Sequence, residues 1–429
     1  MALDPELLPR AAGRPHLPSE TASPEARHET FHRNLAAMPA SVFQFDARMR
    51  EGWYADRYFV RTAAALAHAG RDPIVRMQVF AKKAGVVAGV YEVVRMLQTQ
   101  IAATSREGEA DFRAITIETL LDGDEVAPFE TAMHIVGPYH AFAHLETAYL
   151  GVLARRSLVA TNVRRTIEAA NGKLVIFMGA RHDDWRIQTP DGYAAMVGGA
   201  MRVSSDAGGA WWGEEGVGTM PHSMIAAFGG DVVLATLAFT RYVMAHEPGV
   251  SVVALTDYNN DVIGDSLAVA RAMRDTFGDG VLAGVRVDTS ETLEDVSLAG
   301  VPDAEFLPGE SRTGVNSVLV RRLRAALDGA GFAYVGITVS GGFKPIKIRR
   351  FEEHDVPVVA YGVGSSLLGH NDGDSDGLVN NFDATADIVM VDGREESKLG
   401  RPRRDNPRFV ALDHARLDSL DAQAAARQR

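Results

Sequence analysis

Val335-Gly336-Ile337-Thr338-Val339-Ser340-Gly341-Gly342 is a short β-branched strand that runs into a serine and two glycines. Helical spacing follows over Ile346 to Glu353, and a second apolar strand, Val358 to Tyr361, ends in Gly362-Val363-Gly364-Ser365-Ser366. Two strands joined through a helix need a crossover, so they lie parallel. Toward the N-terminus the alternation recurs. Strands are predicted over Leu174 to Met178, Gly216 to Thr219, Val250 to Leu255 and Val281 to Val287. Helices are predicted over Tyr193 to Ala207, Ser223 to Phe228, Asp231 to Ala245, Ile263 to Phe277 and Val315 to Ala330. This many units predict a parallel sheet curled into a closed or nearly closed barrel.

Before residue 140 the pattern differs. Tyr54 to Thr62 leads into an Ala-rich helix ending at Gly70, and Pro73 to Phe80 alternates like a half-buried strand. Val86 to Gln98 has helical spacing, and Asp111 to Leu121 and Thr131 to Gly137 read as strands. From His144 a long helix runs through Ala160 and, after a break, from Asn162 to Asn171. The fold class is therefore α/β: an N-terminal, mostly antiparallel α+β domain (30–140), then an irregular (β/α) barrel, complete or incomplete (141–370). Residues 1–29 and 411–429 read as loosely ordered tails, and 371–410 as a C-terminal segment carrying one more strand, Asp387 to Gly393. No internal repeat is visible.

Composition narrows the function. A chain of 429 residues, 46% hydrophobic and 23% charged, is an ordinary globular protein with ample core. The absence of cysteine excludes disulfides, thiolate nucleophiles and cysteine zinc sites, and fits a reducing cytoplasm. A net charge of −12 argues against nucleic acid as a partner, and no apolar run is long enough to span a membrane.

Barrel active sites form where strands run into loops, at the C-terminal ends of the strands. They carry Arg181 and His182, then Thr256-Asp257, then Arg286 with Asp288-Thr289-Ser290, then the two Gly/Ser turns. Ser340-Gly341-Gly342 and Gly362-x-Gly364-Ser365 let backbone N–H groups approach a phosphate closely. Arg181 and Arg286 suit a carboxylate or diphosphate; the alternative is an ordinary ion pair. Asp257 and Asp288 suit a developing sugar cation, ribose hydroxyls or a hydrated Mg²⁺; the alternative is helix capping. Gly216-Val217-Gly218-Thr219-Met220-Pro221-His222-Ser223 presents a histidine where a short strand meets a helix start; the alternative is a turn whose glycines supply positive φ.

In this order Tyr58-Phe59-x-Arg61-Thr62, Glu146-Thr147, Gly179-x-Arg181, Gly218-Thr219-Met220-Pro221-His222, Arg286-x-Asp288-Thr289, Ser340-Gly341-Gly342 and Gly362-x-Gly364-Ser365 resemble the nicotinate phosphoribosyltransferase family, in its shorter, archaeal-type branch. The resemblance covers about Arg50 to Arg404. It implies a homodimer with shared active sites, in which Tyr58, with Asp56 nearby, stacks on the pyridine bound to the other copy. It implies that Arg181 pairs with the nicotinate carboxylate, that Asp288 sits by the ring or ribose, and that Glu146, Thr147 and Thr219 belong to the substrate site. Ser340, Gly341, Gly342, Gly362, Gly364 and Ser365 would hold the 5-phosphate of phosphoribosyl pyrophosphate. His222 would be phosphorylated by ATP, a co-substrate, with Mg²⁺ accompanying the pyrophosphate.

Two positions depart from the pattern: His182 stands where many relatives have a second arginine, and Met178 where many have an aromatic. Quinolinate and nicotinamide are alternative bases, and a non-catalytic phosphosugar-binding barrel is the alternative to an enzyme. Asp372-x-Asp374-x-Asp376-Gly377, with Asp383 at the twelfth position, has the spacing of a calcium loop but lacks flanking helices, and reads as a solvated acidic loop. The arginines at 401, 403, 404 and 408 read as a surface patch.

Overall fold

A computed structural model describes residues 14–19, 21–101, 111–247, 249–370 and 377–427. In chain order the strands are β1 (Ile74–Ala81), β2 (Gly85–Val86), β3 (Thr116–Thr119), β4 (Glu125–Val126), β5 (Thr131–Pro138), β6 (Leu174–Phe177) and β7 (Arg202–Val203). They continue with β8 (Val252–Leu255), β9 (Leu282–Val287), β10 (Gly336–Val339), β11 (Ala360–Val363), β12 (Ala384–Val391), β13 (Arg394–Glu395) and β14 (Val410–Ala411). Two six-stranded sheets and a small β2–β4 ribbon result.

The first sheet is antiparallel throughout, in the order β13-β12-β1-β5-β3-β14. Val75, Met77 and Val79 of β1 are buried, as alternation predicts. Gln78, on the opposite face, is buried as well. The Pro402–Arg404 segment covers it: Arg404 N–H donates to Gln78 Oε1 (2.7 Å) and Gln78 Nε2 donates to the Pro402 carbonyl (3.2 Å). Chain from beyond the barrel thus supplies both an edge of this sheet and a cover for it.

The second sheet is parallel, in the order β7-β6-β11-β10-β9-β8. Read as a circle, this is the chain order β6 through β11 with β11 returning to β6, interrupted only between β7 and β8. The sheet is a curled half-barrel. Val285, Val287, Ile337, Val339 and Tyr361 are fully buried along it, the run of β-branched and aromatic residues a two-sided parallel sheet demands. Residues 204–251, which span the interruption, include His222.

Several expectations are corrected. Gly216–Thr219 is a loop rather than a strand, and the strand preceding it is Arg202–Val203. Glycine-rich chain has little side-chain surface to hold it in a sheet. Glu146–Ala169 is one unbroken helix of 24 residues. Asn162, just after the expected break, is held in place by side-chain hydrogen bonds to Leu367 O, Val379 O and Val379 N. Helix Pro24–Ala37 begins inside the stretch read as a tail; Ser23 caps it and it buries Arg27, Phe31 and Leu35. Helix His414–Arg427 likewise replaces most of the C-terminal tail, docking through buried Leu417 and an ion pair from Asp421 to Arg95. Asp372, Asp374 and Asp376 of the acidic loop lie outside the described residues. Among the described residues no helix is long and apolar enough to cross a membrane.

Candidate active site

All six barrel strands point the same way, so the residues that follow them gather at one end. There they line a cavity of about 790 Å³. Arg181, Thr219, His222, Arg286, Asp288, Ser340, Gly341, Gly342, Gly362, Gly364 and Ser365, all singled out in the sequence, line it. Asp257 stands behind His222. The other four do not line it and form a separate cluster. There Asp56 N–H donates to Thr147 Oγ1 (2.9 Å), Thr147 Oγ1 donates to Asp56 (3.1 Å), and Tyr58 OH reaches Asp56 at 3.4 Å. Tyr58 is 59% exposed, on a helix (Arg57–His68) that buries none of its residues. Glu146 is largely buried beside it, and burial, with Asp387 nearby, pushes its carboxyl up to about 8.

Neither Asp257 nor Asp288 caps a helix. That work falls to Asp261, which accepts from Gly264 N–H, and Asn316, which accepts from Leu319 N–H. Asp288 is left facing the cavity, and Asp257 is left to hold His222 from behind. Asp288 accepts from Ser340 Oγ (2.7 Å), which joins the ends of β9 and β10. Asp257, its side chain only 5% exposed, has both oxygens 3.1 Å from Nε2 of His222, whose side chain is 44% exposed. Burial pushes the Asp257 carboxyl up, against the pull of the imidazole. With its proton on Nε2, His222 donates to Asp257 and keeps a lone pair on Nδ1.

The cations are equally constrained. Burial holds the Arg286 guanidinium below its ordinary value despite Asp288 and Asp257, and its Nε has no hydrogen-bond partner. Burial and neighbouring Arg181 push His182 down, so it sits as a neutral imidazole next to a permanent cation. Its Nδ1 is also buried without a partner. Such orphaned polar atoms in a polar cavity mark where a ligand or solvent completes the bonding.

The glycines are needed for different reasons. Gly341 and Gly342 have φ of +81° and +66°, which side-chain-bearing residues rarely adopt. A Cβ on Gly342 would fall 1.6 Å from Glu291 Oε1, on Gly362 2.7 Å from Met178 Sδ, and on Gly364 2.6 Å from His182 Cε1. Met178 and His182, the two departures noted in the sequence, are thus the side chains pressed against the second glycine turn. Gly216 and Gly218 do not have positive φ. Gly216 is required by close approach instead, since a Cβ there would lie 2.7 Å from the Ser205 backbone. Missed in the sequence were Glu291, Lys344 and His370, which also line the cavity. Lys344 follows Gly342 by two residues and precedes Pro345 at the first turn of its helix, a helix-start signal that marks it in retrospect.

Residues 56–157 match the family model "Quinolinate phosphoribosyl transferase, N-terminal domain". A Mycobacterium tuberculosis protein, nicotinate phosphoribosyltransferase pncB1, is 27% identical over 342 residues, covering 74% of this chain and 69% of its own. A Mus musculus nicotinate phosphoribosyltransferase is 32% identical over 129 residues, 29% of this chain and 23% of its own. Among solved structures, nicotinate-nucleotide pyrophosphorylase from Pyrococcus furiosus superposes with a TM-score of 0.67 at 27% identity, covering 86% of this chain and 85% of that one. Human nicotinic acid phosphoribosyltransferase superposes at 0.57 and 19% identity, covering 81% and 76%, a likeness of fold.

An antiparallel α+β domain joined to a parallel half-barrel, with its cavity at the strand ends, is the type II phosphoribosyltransferase fold. Within that class, the relatives its sequence resembles are nicotinate phosphoribosyltransferases.

Proposed function

We propose that this chain transfers phosphoribosyl from phosphoribosyl pyrophosphate to nicotinate, giving nicotinate mononucleotide and pyrophosphate in NAD salvage, and that ATP drives the reaction through phospho-His222. The observation that supports it best is one cavity holding a cationic pair, a left-handed glycine cradle and an aspartate-held histidine.

In this reading Arg181 pairs with the carboxylate of nicotinate, and the Gly341-Gly342 and Gly364-Ser365 turns take the 5-phosphate. The pyridine nitrogen attacks C1 of the ribose with its lone pair as the C1–O bond to pyrophosphate breaks. Positive charge passes from the sugar to the pyridinium, and no proton has to move. Asp288, held by Ser340, stabilises the sugar cation, while Arg286 and Lys344 hold the departing charge. The lone pair on Nδ1 of His222 accepts the γ-phosphoryl group of ATP, releasing ADP, and the phosphohistidine is hydrolysed in the cycle. Among the described residues no group of three or more His, Asp or Glu forms a metal cage. Asp288 and Glu291, which face the cavity, suit a Mg²⁺ held mainly by phosphates, where it would neutralise their charge. Tyr58, exposed and away from the cavity in its own chain, fits a homodimer in which a second copy covers the pyridine.

Quinolinate is the second reading, favoured by the family model that matches residues 56–157. A second carboxylate calls for further fixed positive charge near Arg181, and His182 is kept neutral there. The test is product formation from phosphoribosyl pyrophosphate and Mg²⁺ with nicotinate or quinolinate, each with and without ATP. Nicotinate mononucleotide from nicotinate, accelerated by ATP in wild type and not in His222→Ala, is the expected result. Turnover of quinolinate alone, with release of carbon dioxide and no ATP effect, would overturn it.

A further inference from the structure

Behind the cavity wall, the long helix Glu146–Ala169 sends one side chain to three separate segments. Arg155 binds Asp191 with two parallel bonds, Nε to Oδ1 at 3.1 Å and Nη2 to Oδ2 at 2.7 Å. The same Nη2 donates to Asp183 Oδ2 (2.9 Å), and Nη1 donates to the Leu368 carbonyl (3.2 Å). Asp183 follows the short turn Ala180–His182 that carries Arg181, and Leu368 closes the turn Ser365–Leu368 that begins with the second phosphate cradle. Asp191, 3% exposed, lies in the first turn of the next helix, Gln188–Val197. One guanidinium thus ties the loop after β6 to the loop after β11 from behind. On the cavity side the same loops touch where His182 packs against Gly364.

We infer that Arg155 is a positioning residue that couples the subsite at Arg181 to the phosphate turn at Gly364–Ser366. This rests on the functional reading above for what the two subsites bind. Reaction between two bound partners needs their separation fixed, and a displacement of about 1 Å costs on the order of 100-fold in rate. Adjacent strands set the roots of the two loops, β6 pairing with β11 up to Phe177 and Val363. One more ladder bond follows, from Met178 N–H to Val363 O (2.7 Å); beyond it Arg155 ties the loops, beside a 3.9 Å approach of His370 Nε2 to Asp183 Oδ2. A planar fork can hold Asp191, Asp183 and a carbonyl at once. Lysine, with the same charge on a single nitrogen, cannot reproduce that arrangement. Occupying the phosphate turn should therefore steady the Arg181 loop through Arg155.

The test uses ribose 5-phosphate, whose phosphate the turn would hold, as the probe and amide hydrogen exchange of residues 179–184 as the readout, so the identity of the base does not enter. Wild type should show slower exchange in that loop when ribose 5-phosphate is present. Arg155→Lys should bind the probe and lose the protection, as should Asp183→Ala, which removes the acceptor on the loop side and leaves the Arg155–Asp191 pair intact. In turnover, both variants should lose roughly 100-fold in kcat/KM, with KM raised for base and phosphoribosyl pyrophosphate together. The double variant should be no worse than either single one. A loop in wild type that does not respond to ribose 5-phosphate, or one that responds equally in both variants, overturns the inference. So does a variant that loses thermal stability alone. Failure of nicotinate as substrate, with the exchange response intact, would count against the functional reading and leave the coupling standing.

Discussion

Asp257 and His222 show how much depends on single residues. Asp257 is largely buried at the end of β8, and burial raises its carboxyl while the imidazole pulls it down. Ionised, it accepts from Nε2 and leaves the Nδ1 lone pair for the ATP step proposed above. Protonated, it loses that hold. Because its folded-state value is raised, the ATP-stimulated rate should decline as the pH is lowered through a range higher than an ordinary aspartate would give. Asp257→Asn removes the ionisable partner, should cut ATP stimulation by about 100-fold, and should abolish that acid limb. The ratio of rates with and without ATP, followed over about pH 5 to 8, measures this. An unchanged acid limb in the Asn variant would assign the titration to another group.

At the scale of elements, the junction between the two domains carries a buried carboxyl. Asp122, in the turn between β3 and β4, accepts from Val90 N–H (2.8 Å) and from Tyr193 OH (2.7 Å) on a barrel helix. Burial pushes it up to about 7. A folded-state value above the unfolded one stabilises the fold fully at low pH, and that contribution fades as pH rises from about 4 through 7. The shift corresponds to at most about 4 kcal/mol across the window. Asp122→Asn keeps the shape of the group and cannot ionise. Its stability in urea should therefore fall less than wild type between about pH 5 and 8. Glu146, also raised, slopes the same way in both proteins and cancels in the comparison. Parallel pH profiles for the two proteins would show that Asp122 is ionised in the fold throughout.

For the whole molecule, the C-terminal chain is structural. β12 and β14 complete the first sheet, and Asp421 of helix His414–Arg427 pairs with Arg95, a guanidinium with no exposed side-chain surface. Arg95 also donates to the Leu35 and Met38 carbonyls, so the N-terminal helix, the first domain and the C-terminal helix meet at one cation. Asp421→Ala leaves that cation without the one carboxylate paired with it among the described residues and should cost about 1.5–3 kcal/mol, seen as a lower thermal midpoint with turnover per folded molecule unchanged. An unaltered midpoint would mean that this helix adds nothing to the stability of the first domain.

Much of this could be read from residue order. The β-branched runs at 252–255, 282–287 and 336–339 dictate buried parallel strands because only a two-sided sheet hides so many apolar neighbours. Residues at the ends of parallel strands collect at one end of the sheet, which is why most of the expected site residues share a cavity. Local signals fell short where long-range contacts decide. Asn162 stays helical because residues 367 and 379 bond to it, and Pro24–Ala37 and His414–Arg427 are ordered because distant surfaces cover them. The reach of Arg155 to Asp183, Asp191 and Leu368 follows from how a helix packs behind a sheet, which no spacing records. Side-chain periodicity reports the face a residue must hide. Which partner hides it, and how two loops 180 residues apart are set against each other by about the length of one arginine, is settled only when the chain closes on itself.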